Sequence, residues 1–271
     1  MTIRSRNKIT FVFTIFAFVI FLLELLLILY ALVYRKISFP EVQVSKNLAF
    51  FLFSYKPLAV IFAILLQSFY SFFSSYCTFK NFQKTQSTEI VYFLIFLLST
   101  LCDSGRILLP IFYTSQSYSN FLIAVGNISL FARILSPLAL FGISFLSSEE
   151  YRQDLERNCL IIIVVSLFFA SFIPINTSII SGNFAISYGY RPIIRSYAVI
   201  LNIISSITLL VNSIKKEYNI FMPIGFCMVT SGYGLVYTSY NIALLSTGFL
   251  LMGSGTIIYL VQLHRHYLWT D

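Results

Sequence analysis

Charge is what this sequence has least of. Only 10% of its 271 residues are Asp, Glu, Lys or Arg, where a soluble domain usually carries about a quarter. So few charges cannot cover the surface of a water-soluble globule of 31.0 kDa. Histidine is nearly absent too. The two present, His264 and His266, stand at i,i+2 and do not share a helix face, so no metal site is expected. There is no HExxH, GxSxG, Walker A or GxGxxG pattern, which leaves metal-dependent or serine hydrolysis and nucleotide binding without support. Cys77, Cys102, Cys159 and Cys227 occur singly, with no CxxC pair, and read as small apolar residues. The last apolar run contains no lysine, which excludes a retinal Schiff base there. No basic face is interleaved with aromatics, so nucleic acid is not an expected partner, and no cofactor is expected.

What is abundant is oil. The chain is 58% hydrophobic, with 29 Phe and 18 Tyr, and its apolar residues come in long runs, not at helical or strand spacing. Runs of about 20 residues cross a bilayer. They fall at 10–34, 49–78, 89–113, 120–147, 158–180, 194–214, 219–238 and 241–264. With the N-terminus inside, ten basic residues lie on inner segments (Arg4, Arg6, Lys8, Lys80, Lys84, Arg152, Arg157, Lys215, Lys216 and Arg265). Five lie outside or at an outer end: Arg35, Lys36, Lys46, Arg191 and Arg195. Positive charge gathers on the cytoplasmic side. The expectation is therefore an all-α polytopic transmembrane helical bundle of eight spans, N-in and C-in, in a cell or cytoplasmic membrane. Residues 1–271 form one transmembrane domain, since no connecting segment is long enough for a soluble one. The short stretch 219–238 contains Pro223 and three glycines; if it does not cross, seven spans remain.

The one strongly hydrophilic segment is 147–158, with Glu149, Glu150, Arg152 and Asp154 at its centre. It has the form of a capped helix start, a serine followed by acidic residues in the first turn. It reads as a cytoplasmic extension of a span, and Glu149, Glu150, Arg152 and Asp154 as the contact for a cytoplasmic protein partner. The final two runs carry Gly225, Gly232 and Gly234, then Gly248, Gly253 and Gly255, which predicts a tight helix pair in lipid.

Five ionisable residues fall inside the runs: Glu24, Lys56, Asp103, Arg106 and Arg133. Each costs ~2.5–3.5 kcal/mol at the bilayer centre on insertion scales, so such residues face the bundle interior and mark functional sites. At ~1.5 Å rise per residue, Glu24 lies ~15 Å from the outer end of its span, Lys56 ~10 Å, Asp103 ~15 Å, Arg106 ~10 Å and Arg133 ~20 Å. Glu24 and Lys56, on neighbouring spans, are expected to form a structural ion pair. Asp103 and Arg106 share a helix face at i,i+3, and Asp103 can reach Arg106 or Arg133. Two acids against three bases leave a surplus positive charge, which a bound anion or anionic headgroup, carbonyls, water or snorkelling would compensate. Arg106 and Arg133 also share a pattern, Arg-Ile-Leu-x-Pro, ending at Pro110 and Pro137. Proline frees the carbonyl four residues earlier, here the arginine's own, so each span is expected to bend there. Ser99, Thr100 and Ser104 make the third run the most polar. Gln67, Asn127, Asn202 and scattered hydroxyls read as interhelical hydrogen bonds.

The expected ligand site is thus Asp103, Arg106, Arg133, Ser99 and Ser104. The function that fits is a non-enzymatic sensing or binding bundle for a small anionic or lipid-like ligand, signalling to a separate partner. A small-solute transporter, which could be a homodimer, is the alternative. A lipid-modifying enzyme using Asp103 or Glu24 as acid–base comes third.

Overall fold

The computed structural model describes residues 2–34, 54–85, 87–112, 120–146, 155–216 and 219–269. The acidic partner segment with Glu149, Glu150, Arg152 and Asp154 lies outside them. In order come helices α1 (Ile3–Val33), α2 (Pro57–Asn81), α3 (Glu89–Ser104), a 3-10 turn at Gly105–Ile107, α4 (Leu108–Phe112), α5 (Asn120–Phe141) with a π-helical turn at Gly142–Leu146, and α6 (Leu155–Phe172). A hairpin of β1 (Ile175–Ile180) and β2 (Ile186–Tyr188) comes next, then α7 (Arg191–Lys216), α8 (Phe221–Thr238) and α9 (Ile242–Trp269). Seven helical segments are long and apolar enough to cross a bilayer, with α3 and α4 counted together; α8 is not among them. That marks a polytopic membrane protein.

The segments α3–α4 and α5 are largely buried and form the centre. The apolar residues of α1, α6 and α7 are mostly exposed, as expected of helices whose outer faces meet lipid. Exposed hydroxyls there bond back to their own helix, as Ser171 does to Leu167 O at 2.9 Å and Thr208 to Ile204 O at 2.9 Å, which spares lipid an unpaired donor. Arg6, read from sequence as topogenic charge, is buried. It donates to Phe82 O at 2.6 Å and Ser87 O at 3.3 Å, tying the start of α1 to the turn after α2.

Two boundaries depart most from expectation, while α1 begins earlier, at Ile3, and α9 runs on to Trp269. The second run begins as a helix only at Pro57, with Lys56 at the N-cap. Proline suits a first helical turn because its missing N–H would be unpaired there anyway. Lys56 therefore stands at a helix end, not inside a span. The fifth run stops at Phe172, two residues before Pro174. Proline disfavours helix at the residue before it, and the chain continues as the antiparallel hairpin, pairing Ile175 with Tyr188 and Asn176 with Ser187. The helices are thus joined by one small sheet that an all-α reading omits.

This hairpin packs inward. A Cβ on Gly126 of α5 would come within 2.9 Å of Ile186 Cδ1 and 3.3 Å of Ile175 Cγ2. At its turn Phe184 has φ 59°, a conformation costly for a bulky side chain. Burial offsets the cost: Phe184 is fully enclosed, in a cluster with Ile28, Val60, Ile64 and Ile107.

Candidate functional site

The polar centre is built on α3. Asp103 and Arg106 are both buried, with Arg106 Nη1 3.7 Å from Asp103 Oδ2. Gln67 of α2 closes the group: it accepts from Arg106 Nη2 at 3.0 Å and donates to Asp103 Oδ2 at 3.4 Å. Ser129 of α5 donates to Asp103 Oδ1 at 3.2 Å. Arg106 Nη1 also donates to the carbonyl of Tyr237 on α8, at 3.2 Å. A carboxylate, a guanidinium and an amide thus pair with one another, with support from four helices, as buried charge requires; the Arg106 Nε alone of this guanidinium has no partner. The first Arg-Ile-Leu-x-Pro motif explains the local backbone. Proline at 110 leaves the Arg106 carbonyl without its helical donor, and the helix tightens to a 3-10 turn at Gly105–Ile107. The second motif behaves otherwise, for the α-helical pattern of α5 runs through Pro137 and loosens only at Gly142–Leu146.

Glu24 is buried, and its partner is Ser104 of α3, whose hydroxyl donates to Glu24 Oε1 at 2.5 Å. The expected Glu24–Lys56 pair is not formed, because Lys56 stands at the start of α2 while Glu24 turns toward α3. Ser99 is buried but donates to Phe96 O at 2.7 Å, so it serves its own helix and not the charged group.

Arg133 stands apart from this closed group. It is 8% exposed, and Nη1 donates to the hydroxyl of Tyr188 in β2 at 2.8 Å. Its guanidinium lies 4.3 Å from the ring centre of Tyr237 and 5.0 Å from that of Tyr188, distances at which the negative ring face attracts a cation. The Arg106 guanidinium lies 5.1 Å from the Tyr237 ring, so one tyrosine joins the closed group to Arg133. Among the described residues Asp103 pairs with Arg106; Arg133 has no such carboxylate, and its Nε and Nη2 have no hydrogen-bond partner.

Arg133 is one of the residues lining a cavity of about 880 Å³ between α5, the hairpin, α7 and α8, within the size range of small-molecule sites. Among the described residues its lining holds three arginines, Arg133, Arg191 and Arg195, and no acidic residue. Asn183 Oδ1, Asn202 Oδ1 and Tyr237 Oη, also on residues of the lining, are buried without partners. Of the five expected ligand residues, then, Arg133 alone borders the cavity; Asp103, Arg106 and Ser104 lie in the packed polar centre and Ser99 on the same helix. Arg191 and Arg195 read in sequence as outer-end charge. Gln67 and Asn202 read as routine hydrogen-bonding residues, and nothing distinguished Tyr188 or Tyr237 among 18 tyrosines.

The chain matches no protein-family model, no curated protein and no solved structure. The class it defines is a polytopic helical membrane protein with a self-neutralised ionic centre beside a cationic cavity.

Proposed function

We propose that the chain is a non-enzymatic binding bundle of eight transmembrane helices, N-in and C-in, that holds a small anionic ligand beside Arg133 and passes the resulting shift to a separate cytoplasmic protein. The observation that carries this reading is Arg133 itself: a buried guanidinium with two unpartnered nitrogens, on a residue of a cavity whose described lining adds two more arginines and no acid. A buried cation of this kind is costly, and an anion relieves the cost. Signalling is favoured by the path of α5. The helix that carries Arg133 passes through the π-helical turn at Gly142–Leu146 and leads directly to 147–154, and such turns often accompany function. The eight-span count is favoured by α8, which lies along α9 from Gly225 to Val236 and so shares the depth of a helix that does meet the length and hydropathy for crossing.

The test is binding of inorganic phosphate and sulfate to the purified full-length protein in neutral detergent, read as thermal stabilisation. Wild type should be stabilised, and Arg133→Gln should lose most of the shift while keeping its own melting temperature close to that of wild type. An equal response of both proteins removes the site. Anion uptake into proteoliposomes that depends on Arg133 would turn the reading to a transporter.

A further inference from the structure

The cavity is not uniformly polar. Along α7 its lining residues are Arg191, Ile194, Arg195, Ala198, Val199 and Asn202, spaced so that they share one face of the helix. The two arginines sit at the start of this stripe, and the small apolar side chains of Ala198 and Val199 come after them. Facing them are Pro137 of α5 and Gly234 and Leu235 of α8, with Ser231 and Thr238 one turn to either side of Gly234. At Gly234 an added Cβ would meet nothing within 4 Å, so the cavity has open space at that point of α8. The rest of α8 differs: Gly225 and Gly232 are pressed against α9 with no room for a methyl group. Beyond the lining stripe, α7 exposes Ile200, Ile203, Ile204 and Ile207, a face suited to lipid. Val199, itself part of the lining, is half exposed, so the apolar stretch of the cavity reaches the surface of the bundle.

We infer that the ligand is an amphipathic oxyanion, with its head held by Arg133, Arg191 and Arg195 and its apolar chain lying along Ala198, Val199 and Gly234 in the α7–α8 seam. This rests on the anion-binding reading above and adds the chemical class. A small, fully hydrated anion would use the arginines but leave the apolar part of the cavity unfilled. An amphiphile fills both, because burying its methylenes is favourable as well. A cationic amphiphile of the same tail is repelled by three guanidinium groups.

The experiment uses the full-length protein in phosphatidylcholine nanodiscs, with melting temperature as readout and protein-free discs as control. Probes are dodecyl phosphate, inorganic phosphate and dodecyltrimethylammonium. Dodecyl phosphate should reach half its maximal stabilisation at a concentration at least about tenfold below inorganic phosphate, the effect of about two buried methylenes, and dodecyltrimethylammonium should give none. Gly234→Leu, which fills the seam, should erase this advantage and leave the inorganic phosphate response unchanged. Val199→Phe gives a second, independent block should Gly234→Leu fold poorly. Equal half-saturation by the two phosphates overturns the amphiphile and leaves the anion site standing. Equal stabilisation by dodecyltrimethylammonium also overturns it, because the tail alone would then bind. A response to neither phosphate removes the anion site itself.

Discussion

Two arginines in the same five-residue pattern have opposite situations in this protein. Arg106 is neutralised by Asp103 and held by Gln67 and the Tyr237 carbonyl; Arg133 has a tyrosine hydroxyl, two ring faces and a cavity. The difference predicts different mutational behaviour. Asp103→Asn strands the Arg106 charge in the interior, and breaking a buried pair in this way costs about 3–5 kcal/mol. Thermal unfolding in detergent should show a large drop for Asp103→Asn, and a smaller one for the double variant Asp103→Asn/Arg106→Gln, which removes both charges. A double variant no more stable than the single one would mean that the pair is not what holds this centre. Tyr188→Phe, by contrast, removes one hydroxyl from Arg133 and should cost only about 1 kcal/mol, the usual loss for one hydrogen bond.

At the level of elements, the α8–α9 pair is set by backbone contact. A Cβ on Gly232 would come within 2.5 Å of Met252 N and 2.8 Å of Gly248 O, while one on Gly253 would meet nothing. Small residues permit this approach in lipid, where packing and not the hydrophobic effect drives association. Gly232→Leu should therefore force α8 and α9 apart and lower the melting temperature by several degrees. Gly253→Ala should be neutral or slightly stabilising, by up to about 1 kcal/mol from the helix preference of alanine. The same α8 that is fixed to α9 on one side is open at Gly234 on the other, so disturbing the pair should also weaken anion binding. A Gly232→Leu protein that binds phosphate like wild type would separate the two roles.

For the whole molecule, the arrangement is a buried pair of irregular segments, α3–α4 and α5, surrounded by helices whose apolar faces are exposed. Irregular backbone is tolerated at such depth only inside protein or beside a cavity, and the turns at Gly105–Ile107 and Gly142–Leu146 are both on these central segments. Eight crossings put both ends on one side; seven would separate them. Epitope tags at the two termini should both be cleaved by protease added to inside-out vesicles and both be protected in sealed right-side-out cells. Cleavage of one tag in each preparation would establish an odd number of crossings.

The features legible in the sequence are those with a local physical cause. Span positions were readable because hydrophobic length is a property of contiguous residues: α8 ends at Thr238, the expected boundary. Asp103 and Arg106 were readable as a pair because i,i+3 spacing fixes their proximity on any helix. Partner choice across helices was not, since it depends on rotation and depth that composition leaves free: Glu24 took Ser104 rather than Lys56, and Gln67 became the bridge in the polar centre. The hairpin at 175–188 was hidden because Pro174 ends a helix without specifying the next element. Sequence alone determined that oily helices bury a few charges, because hydrophobic length and the cost of charge in lipid are local. Only the tertiary structure decided which of those charges is satisfied and which faces a cavity, because pairing depends on where distant segments meet.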